Sequence, residues 1–278
     1  MKEKRKFKFK SIIFIIIIIF ALLFVWARYI NTKGLNIKEY AITNEKLPNN
    51  FHGLKIIHFS DIHFGQTTNF NDLEKIVKKI NELKPDVVFF TGDLFNNNIK
   101  LTNEDLKKIT KELKKIKPAL YKYAISGDAD LKNYNEYKTT LEDADFILLN
   151  NSNELLYYKG TEPIKIVGLT DSKELDISFK EENIEPSFSI VLIHESDNID
   201  NLSSYRVDMA FAGHSLGGQI KVPFLGGIIK KEGSEKYIDG YYKVNDTDYY
   251  VSSGIGTENL KLRVFNKPSI NLYRIYNK

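Results

Sequence analysis

Cysteine is absent from the chain. No disulfide argument applies, no lipid can be carried on a thiol, and either side of a membrane is compatible with the composition. Net charge is also missing once the first ten residues are set aside. Residues 1–10 hold six of the 40 Lys/Arg and one of the 36 Asp/Glu, leaving 40 − 6 = 34 basic against 36 − 1 = 35 acidic residues. A near-neutral remainder has no electrostatic footprint for nucleic acid, so none is expected as a partner. Internal repeats, low-complexity linkers and a second domain boundary are lacking too. One folded domain is the expectation for 278 residues.

What the N-terminus does have is a basic tip, residues 1–10, running straight into the uncharged, isoleucine- and phenylalanine-rich stretch Ser11–Ala27. About 17 such residues is near the lower limit for a spanning helix. Trp26 and Tyr29 stand where interfacial aromatics belong. A core helix apolar on every face fits poorly in a domain this small. A cleaved signal peptide would need a small-x-small pattern after Val25, where Trp26, Arg28 and Tyr29 stand instead. Residues 11–30 are therefore expected to be a transmembrane signal anchor, with the bilayer as a partner. The positive charges before it favour a cytoplasmic N-terminus and an extracytoplasmic domain at the cell membrane. Residues 31–51 read as a polar connector and 52–278 as the folded domain.

Within that domain, short apolar runs end at Asp, Gly or His. Leu54–Ser60, Asp86–Thr91, Tyr121–Ser126, Ile164–Leu169, Ser189–His194 and Val207–Ala212 are of strand length and rich in β-branched or aromatic residues. Asn71–Leu83 places Leu73, Ile76, Val77, Ile80 and Leu83 on one helical face. Thr102 opens a second helix with Asp105 three residues on, a capping-box variant, and Leu106, Ile109, Leu113 and Ile116 form its stripe. Strand–helix alternation followed by strand-rich sequence predicts a layered α/β or α+β sandwich.

The polar residues fall at the carboxyl ends of those strands, where open sheets place ligands. They are Asp61-Ile62-His63, Gly92-Asp93, Gly127-Asp128-Ala129-Asp130, His194 and Gly213-His214-Ser215-Leu216-Gly217-Gly218-Gln219. Singly, Asp61 or Asp93 is an ordinary cap or turn residue, and His194 an ordinary structural histidine. His52 and His58 lie outside the blocks and are read as non-ligands. In order and spacing, the five blocks resemble those of the calcineurin-like metallophosphoesterases. They most resemble the membrane-associated bacterial branch whose last block reads GHTHGGQ. Ile220–Pro223, Tyr237–Gly240, Tyr250–Gly256 and Leu262–Pro268 continue the resemblance, which spans roughly residues 52–276.

The resemblance implies a four-layered sandwich, two mixed β-sheets flanked by helices, preceded here by one N-terminal transmembrane helix. It also implies hydrolysis of a phosphate ester by water activated on one or two divalent ions, with Mn, Fe or Zn suited to mixed His and carboxylate donors. By position, Asp61 and His63 would hold the first metal, Asp93 would bridge, and Asp128, His194 and His214 would complete the second. Two departures stand out. Ala129 replaces the family's general-acid histidine, a group worth about 10²–10⁴ in rate, and Leu216 replaces the last histidine ligand of the first metal. Asp130 is the expected substitute proton donor, so Asp93 and Asp130 are the candidate catalytic residues. The reading is a hydrolase for a phosphodiester or pyrophosphate bond in a phosphorylated small molecule or lipid. The alternative is a metal-stabilised module that binds a phosphorylated lipid or glycan without cleaving it.

Overall fold

Helix α1 (Lys2–Val25) opens the computed structural model, which describes residues 2–170 and 186–278, with backbone only for residues 2–8. The side chains of most of the basic tip thus lie outside the described part. A π-turn, Trp26–Ile30, continues α1. Among the described residues, Phe9–Ile30 is the one helix long and apolar enough to cross a membrane, and its most apolar stretch is buried against nothing. Apolar side chains on every side suit lipid, not one-faced packing.

Strand β1 (Asn36–Asn44) comes next, inside the stretch expected as a connector. Its partner is the far end of the chain: it pairs in parallel with residues 269–277, a register that no local pattern can show. β2 (Leu54–Phe59), β3 (Val87–Phe90), β4 (Lys122–Ala124) and β5 (Phe146–Leu148) follow as parallel neighbours. Between them run α2 (Phe70–Glu82), α3 (Asn103–Leu113) and α4 (Tyr134–Asp143). α2 and α3 begin with capping boxes, Asn69 with Asp72 and Thr102 with Asp105, each satisfying orphan N–H groups of the first turn.

The second sheet starts with β6 (Ser152–Leu156), β7 (Ile164–Leu169), β8 (Ser189–Ile193) and β9 (Met209–Ala212). A ribbon of β10 (Lys221–Val222) and β11 (Gly226–Gly227) leads to β12 (Gly240–Val244) and β13 (Thr247–Val251). β14 (Ser269–Asn277) then returns to the first sheet. The two six-stranded orders are β1-β14-β2-β3-β4-β5 and β12-β13-β9-β8-β7-β6. Both sheets are mixed. β14 is antiparallel to β2, and the β6–β7 and β12–β13 pairs are antiparallel at the ends of the second sheet.

Period-two burial sorts each central strand between two layers. Leu54 and Ile56 of β2, Val87 and Phe89 of β3, and Ile190 and Leu192 of β8 meet between the sheets. Ile57, Phe59, Val88 and Phe90 face α2–α4. Val191 and Ile193 face outward from the second sheet, where the described cover is the 3₁₀ segment Ser196–Leu202 together with Tyr237. Each fully buried side chain of this size stabilises the fold by about 1.5–3 kcal/mol.

Candidate metal centre

Parallel strands from both sheets end at one place, and the six expected ligands follow them there. Asp61 and His63 follow β2, Asp93 follows β3, Asp128 follows β4, His194 follows β8 and His214 follows β9. Asp93, Asp128, His194 and His214 form one group and Asp61, His63 and Asp93 a second, and within each group the donor atoms lie within 4.8 Å of one another. Asp93 is common to both. Five of the six are buried, whereas the Asp128 side chain is 40% exposed, which leaves the second group open to solvent.

Hydrogen bonding fixes which imidazole nitrogens face inward. A carbonyl can only accept, so His194 donates Nδ1–H to Thr91 O (2.6 Å) and His214 donates Nε2–H to Glu232 O (2.8 Å). His194 Nε2 and His214 Nδ1 are left 3.1 Å apart, each facing Asp128 Oδ1 at 2.9 and 3.0 Å. His194 Nε2 is also 3.2 Å from Asp93 Oδ2. In neutral rings these are lone pairs aimed at carboxylate oxygens with no hydrogen between them. In the other group, both nitrogens of His63 and Asp93 Oδ2 are buried without a hydrogen-bond partner. His63 Nε2 lies 3.5 Å from Asp93 Oδ2 and 3.9 Å from Asp61 Oδ1. Orphaned, convergent acceptors of this kind fit divalent metal ions, and the carbonyl partners of His194 and His214 are the usual outer support for imidazole ligands.

Electrostatics agree. Burial would raise the Asp93 carboxyl, but His194 and then His63 outweigh it and hold it at about 2. Burial opposes ionisation at Asp128 as well, and His194 and His214 pull its carboxyl far below the ordinary range. Burial lowers His194, while Asp93 and Asp128 drive it well above its ordinary value. A field that favours an imidazolium at that point favours a metal cation there too.

Left-handed backbone occurs at five residues of the site, among thirteen non-glycine residues with positive φ in the described chain. Asp61, His63, Asp93, His214 and Leu216 have φ of +53°, +43°, +62°, +64° and +50°, conformations costing about 1–3 kcal/mol each away from glycine. Gly92 (φ +88°) and Gly127 let the β3 and β4 loops touch; a Cβ on Gly127 would overlap Asp93 Oδ1 and the His194 ring. Asp61 is held by the His214 backbone N–H, 3.1 Å from each carboxylate oxygen.

Asp130 is not brought into the cluster. It is fully buried beneath it, with Oδ2 accepting from the N–H groups of Asp93 (2.7 Å) and Gly127 (2.9 Å) and Oδ1 from Leu94 N–H (2.9 Å). Burial, then the Asp93 charge, raises its carboxyl to about 8, against the pull of those N–H groups. Its buried oxygens brace two loops, which favours a positioning role over the expected proton donor. Ala129 is buried and its N–H donates to Asp93 Oδ1 (2.9 Å). Leu216 is buried with its Cδ2 beside Gly254 and Asp61, and its carbonyl accepts from Asn266 Nδ2 (2.7 Å). His58 donates or accepts only at Thr91 Oγ1 (2.9 Å) inside the sheet, burial lowering it to about 3, and His52 packs on Tyr276.

Two cations escape the sequence reading. Lys231 Nζ is nearly buried, 2.8 Å from Glu258 Oε2. Burial lowers its pKa, but Asp93, Glu258, Asp128 and Asp61 together raise it, so its ammonium sits in the field of the centre. Arg263 is fully buried, donating to the carbonyls of Gly256 and Ser253. No motif of the sequence includes Lys231, and only long-range folding reveals its neighbours.

A calcineurin-like phosphoesterase family model matches residues 54–218, a range that contains all six candidate ligands. The chain belongs to the calcineurin-like phosphoesterases. It is a hydrolase of the metallophosphoesterase type. Among its relatives is the uncharacterized metallophosphoesterase YkuE of Bacillus subtilis, 31% identical over 258 residues, or 90% of this chain and 88% of YkuE. The UDP-2,3-diacylglucosamine pyrophosphatase LpxG of Chlamydia trachomatis is 28% identical over 73% of this chain and 75% of its own. Among solved structures, TT1561 of Thermus thermophilus is similar at a TM-score of 0.44 and 12% identity, covering 73% of this chain and 90% of that one.

Proposed function

We propose that this phosphoesterase is anchored in the cell membrane by residues 11–30, with its domain outside the cytoplasm, and cleaves a phosphodiester or pyrophosphate bond in a lipid or envelope substrate. The observation that carries the catalytic part is the pair of inward imidazole nitrogens of His194 and His214. They face Asp128 and Asp93 with their outer N–H groups already bound to carbonyls. Asp61, His63 and Asp93 would hold one ion, and Asp93, Asp128, His194 and His214 another. Mixed donors of this kind suit Mn, Fe or Zn. When bound, such ions supply Lewis acidity at phosphorus and lower the pKa of water.

The chain's own residues shape the rest. Thr91 O and Glu232 O keep the two imidazoles oriented, and Ala129 N–H fixes the shared Asp93 carboxylate. Lys231, held by Glu258, offers an ammonium to phosphoryl oxygens arriving past the exposed Asp128. Ala129 has no proton to give a leaving group. That favours bonds whose leaving group is itself a phosphate or an acidic alcohol. Two relatives named as pyrophosphatases of UDP-2,3-diacylglucosamine support the same bond type.

Buried Leu216 beside Asp61 supports a second reading, a metal-stabilised module binding a phosphorylated lipid or glycan without turnover. Hydrolysis of bis(p-nitrophenyl) phosphate by the full chain with added Mn²⁺ separates the two. The enzyme reading expects metal-dependent turnover that Asp93→Ala lowers by at least about 10²-fold, the size of effect expected for a lost electrostatic group. Equal inactivity of both, with metal still bound by wild type, leaves the binding module.

A further inference from the structure

Outside residues 9–30, nine large apolar side chains among the described residues are exposed: Tyr121, Leu131, Tyr157, Phe224, Leu225, Ile228, Tyr241, Leu260 and Phe265. Five of them belong to two adjoining segments. Phe224 is fully exposed and Leu225 is 81% exposed at the tip of the β10–β11 ribbon, and Phe265 is 62% exposed on the loop before β14. Ile228 and Leu260 stand on the same two segments. A folded surface seldom presents such a concentration without a partner.

Hydrogen bonds join the two segments. Lys221 N–H donates to Val264 O (2.9 Å), Val264 N–H to Gln219 O (3.2 Å) and Gln219 Nε2 to Leu262 O (2.8 Å), while Ile228 N–H donating to Ile220 O (2.8 Å) closes the ribbon on itself. The second segment is in turn fixed to the end of the apolar helix. Arg263 N–H donates to Ala27 O (3.0 Å), Asn31 Nδ2 donates to Arg263 O (2.9 Å), and the Trp26 and Phe265 rings meet at 5.4 Å. Phe224 lies four residues along from Ile220, whose bridge partner is Val264, so at about 3.3 Å per residue the tip is within roughly 13 Å of that clamp. Lys230, Lys261 and Lys267 are exposed on the same segments. Apolar tips flanked by lysines match an anionic bilayer surface, where aromatic and aliphatic side chains enter the interface and ammonium groups meet headgroups.

We propose that the β10–β11 ribbon tip, with Leu260 and Phe265, is a second membrane contact that dips into the bilayer interface beside the anchor. The occupant is lipid, because the patch is continuous with the helix end and shares Arg263 with it. The ribbon also leads directly into the turn whose Glu232 carbonyl orients His214 and whose Lys231 meets Glu258. Two contacts on one side hold the metal centre at a fixed height over the headgroups, which suits a phosphate group still attached to a membrane lipid.

The inference rests on the anchor reading, and one experiment separates their failures. The chain has no cysteine, so single cysteines can be labelled cleanly. Ile18→Cys in the anchor, Phe224→Cys at the tip and Lys107→Cys on exposed α3 each receive a polarity-sensitive NBD label. The full chain is then placed in phosphatidylcholine–phosphatidylglycerol vesicles containing doxyl-labelled lipid. The expected result is blue-shifted emission and several-fold stronger quenching at 18 and 224 than at 107. Quenching at 18 with position 224 matching 107 overturns the ribbon contact alone. A blue shift at 224 without lipid quenching means a protein covers the tip, a second copy included, and overturns it as well. Absence of quenching at 18 removes the anchor and this inference together.

Discussion

His194 and His214 each bind a backbone carbonyl on one side and face a carboxylate-lined point on the other, the two-sidedness on which their proposed role as ligands rests. The first group lacks such redundancy. Asp61, His63 and Asp93 converge on a place where Leu216 contributes only hydrocarbon. Metal content should therefore be lopsided. Elemental analysis of wild type is expected to give about one transition-metal ion per chain at modest metal concentration, from the four-donor set, since four protein donors hold an ion more firmly than three. His214→Ala should lose that ion, and Leu216→His should raise the ratio toward two. An unchanged ratio in Leu216→His would mean that the first group does not bind. The convergence of the six candidate residues was legible in the sequence, because each follows a strand in an ordered block. Lys231 and Glu258 were not, since an ion pair between a turn and a loop 27 residues apart, 258 − 231, leaves no local pattern. Asp130 reads in the sequence as a substitute proton donor, whereas its three N–H partners are supplied only by the fold.

At the scale of elements, strands and caps came through well. β2, β3, β4, β7, β8 and β9 lie inside the expected runs, and the Thr102–Asp105 box caps α3 as its spacing requires. The first strand was hidden because its alternation is half-polar and its only ladder is with β14. α4 was hidden because its buried face, Tyr137, Thr140 and Leu141, mixes polar with apolar residues. Asp130 acts at this scale, bolting the loop after β3 to the loop after β4. In Asp130→Asn an amide N–H₂ can replace the oxygen that takes two N–H donors, leaving those donors opposed. The variant is expected to lose about 1–3 kcal/mol, the penalty for a buried unsatisfied group, seen as a lower thermal midpoint, with the bound metal ion lost as Asp93 shifts. A variant that melts like wild type yet loses activity would restore Asp130 to the chemistry.

For the whole molecule, the chain's two ends close one side of the first sheet together. β14 sits between β1 and β2, so a chain begun at residue 45 leaves one edge of β14 without its nine-residue partner. Such an exposed edge invites association between chains. A chain begun at residue 31 should stay monomeric in light scattering, and one begun at residue 45 should melt lower and aggregate; equal behaviour would make β1 an ornament of the fold.

Under the proposed anchoring, the clamp between Arg263 and the helix end makes the protein responsive to the bilayer. Residues Phe9–Ile30 form a helix of about 33 Å at 1.5 Å per residue, slightly longer than a typical hydrocarbon core of about 30 Å. A free helix relieves such mismatch by tilting. Here the last turn is bonded to Arg263, whose guanidinium grips Gly256 and Ser253 beside Asp61, so a tilt pulls on that loop. Hydrophobic thickness, set by acyl-chain length, thereby becomes an input to the geometry of the metal centre.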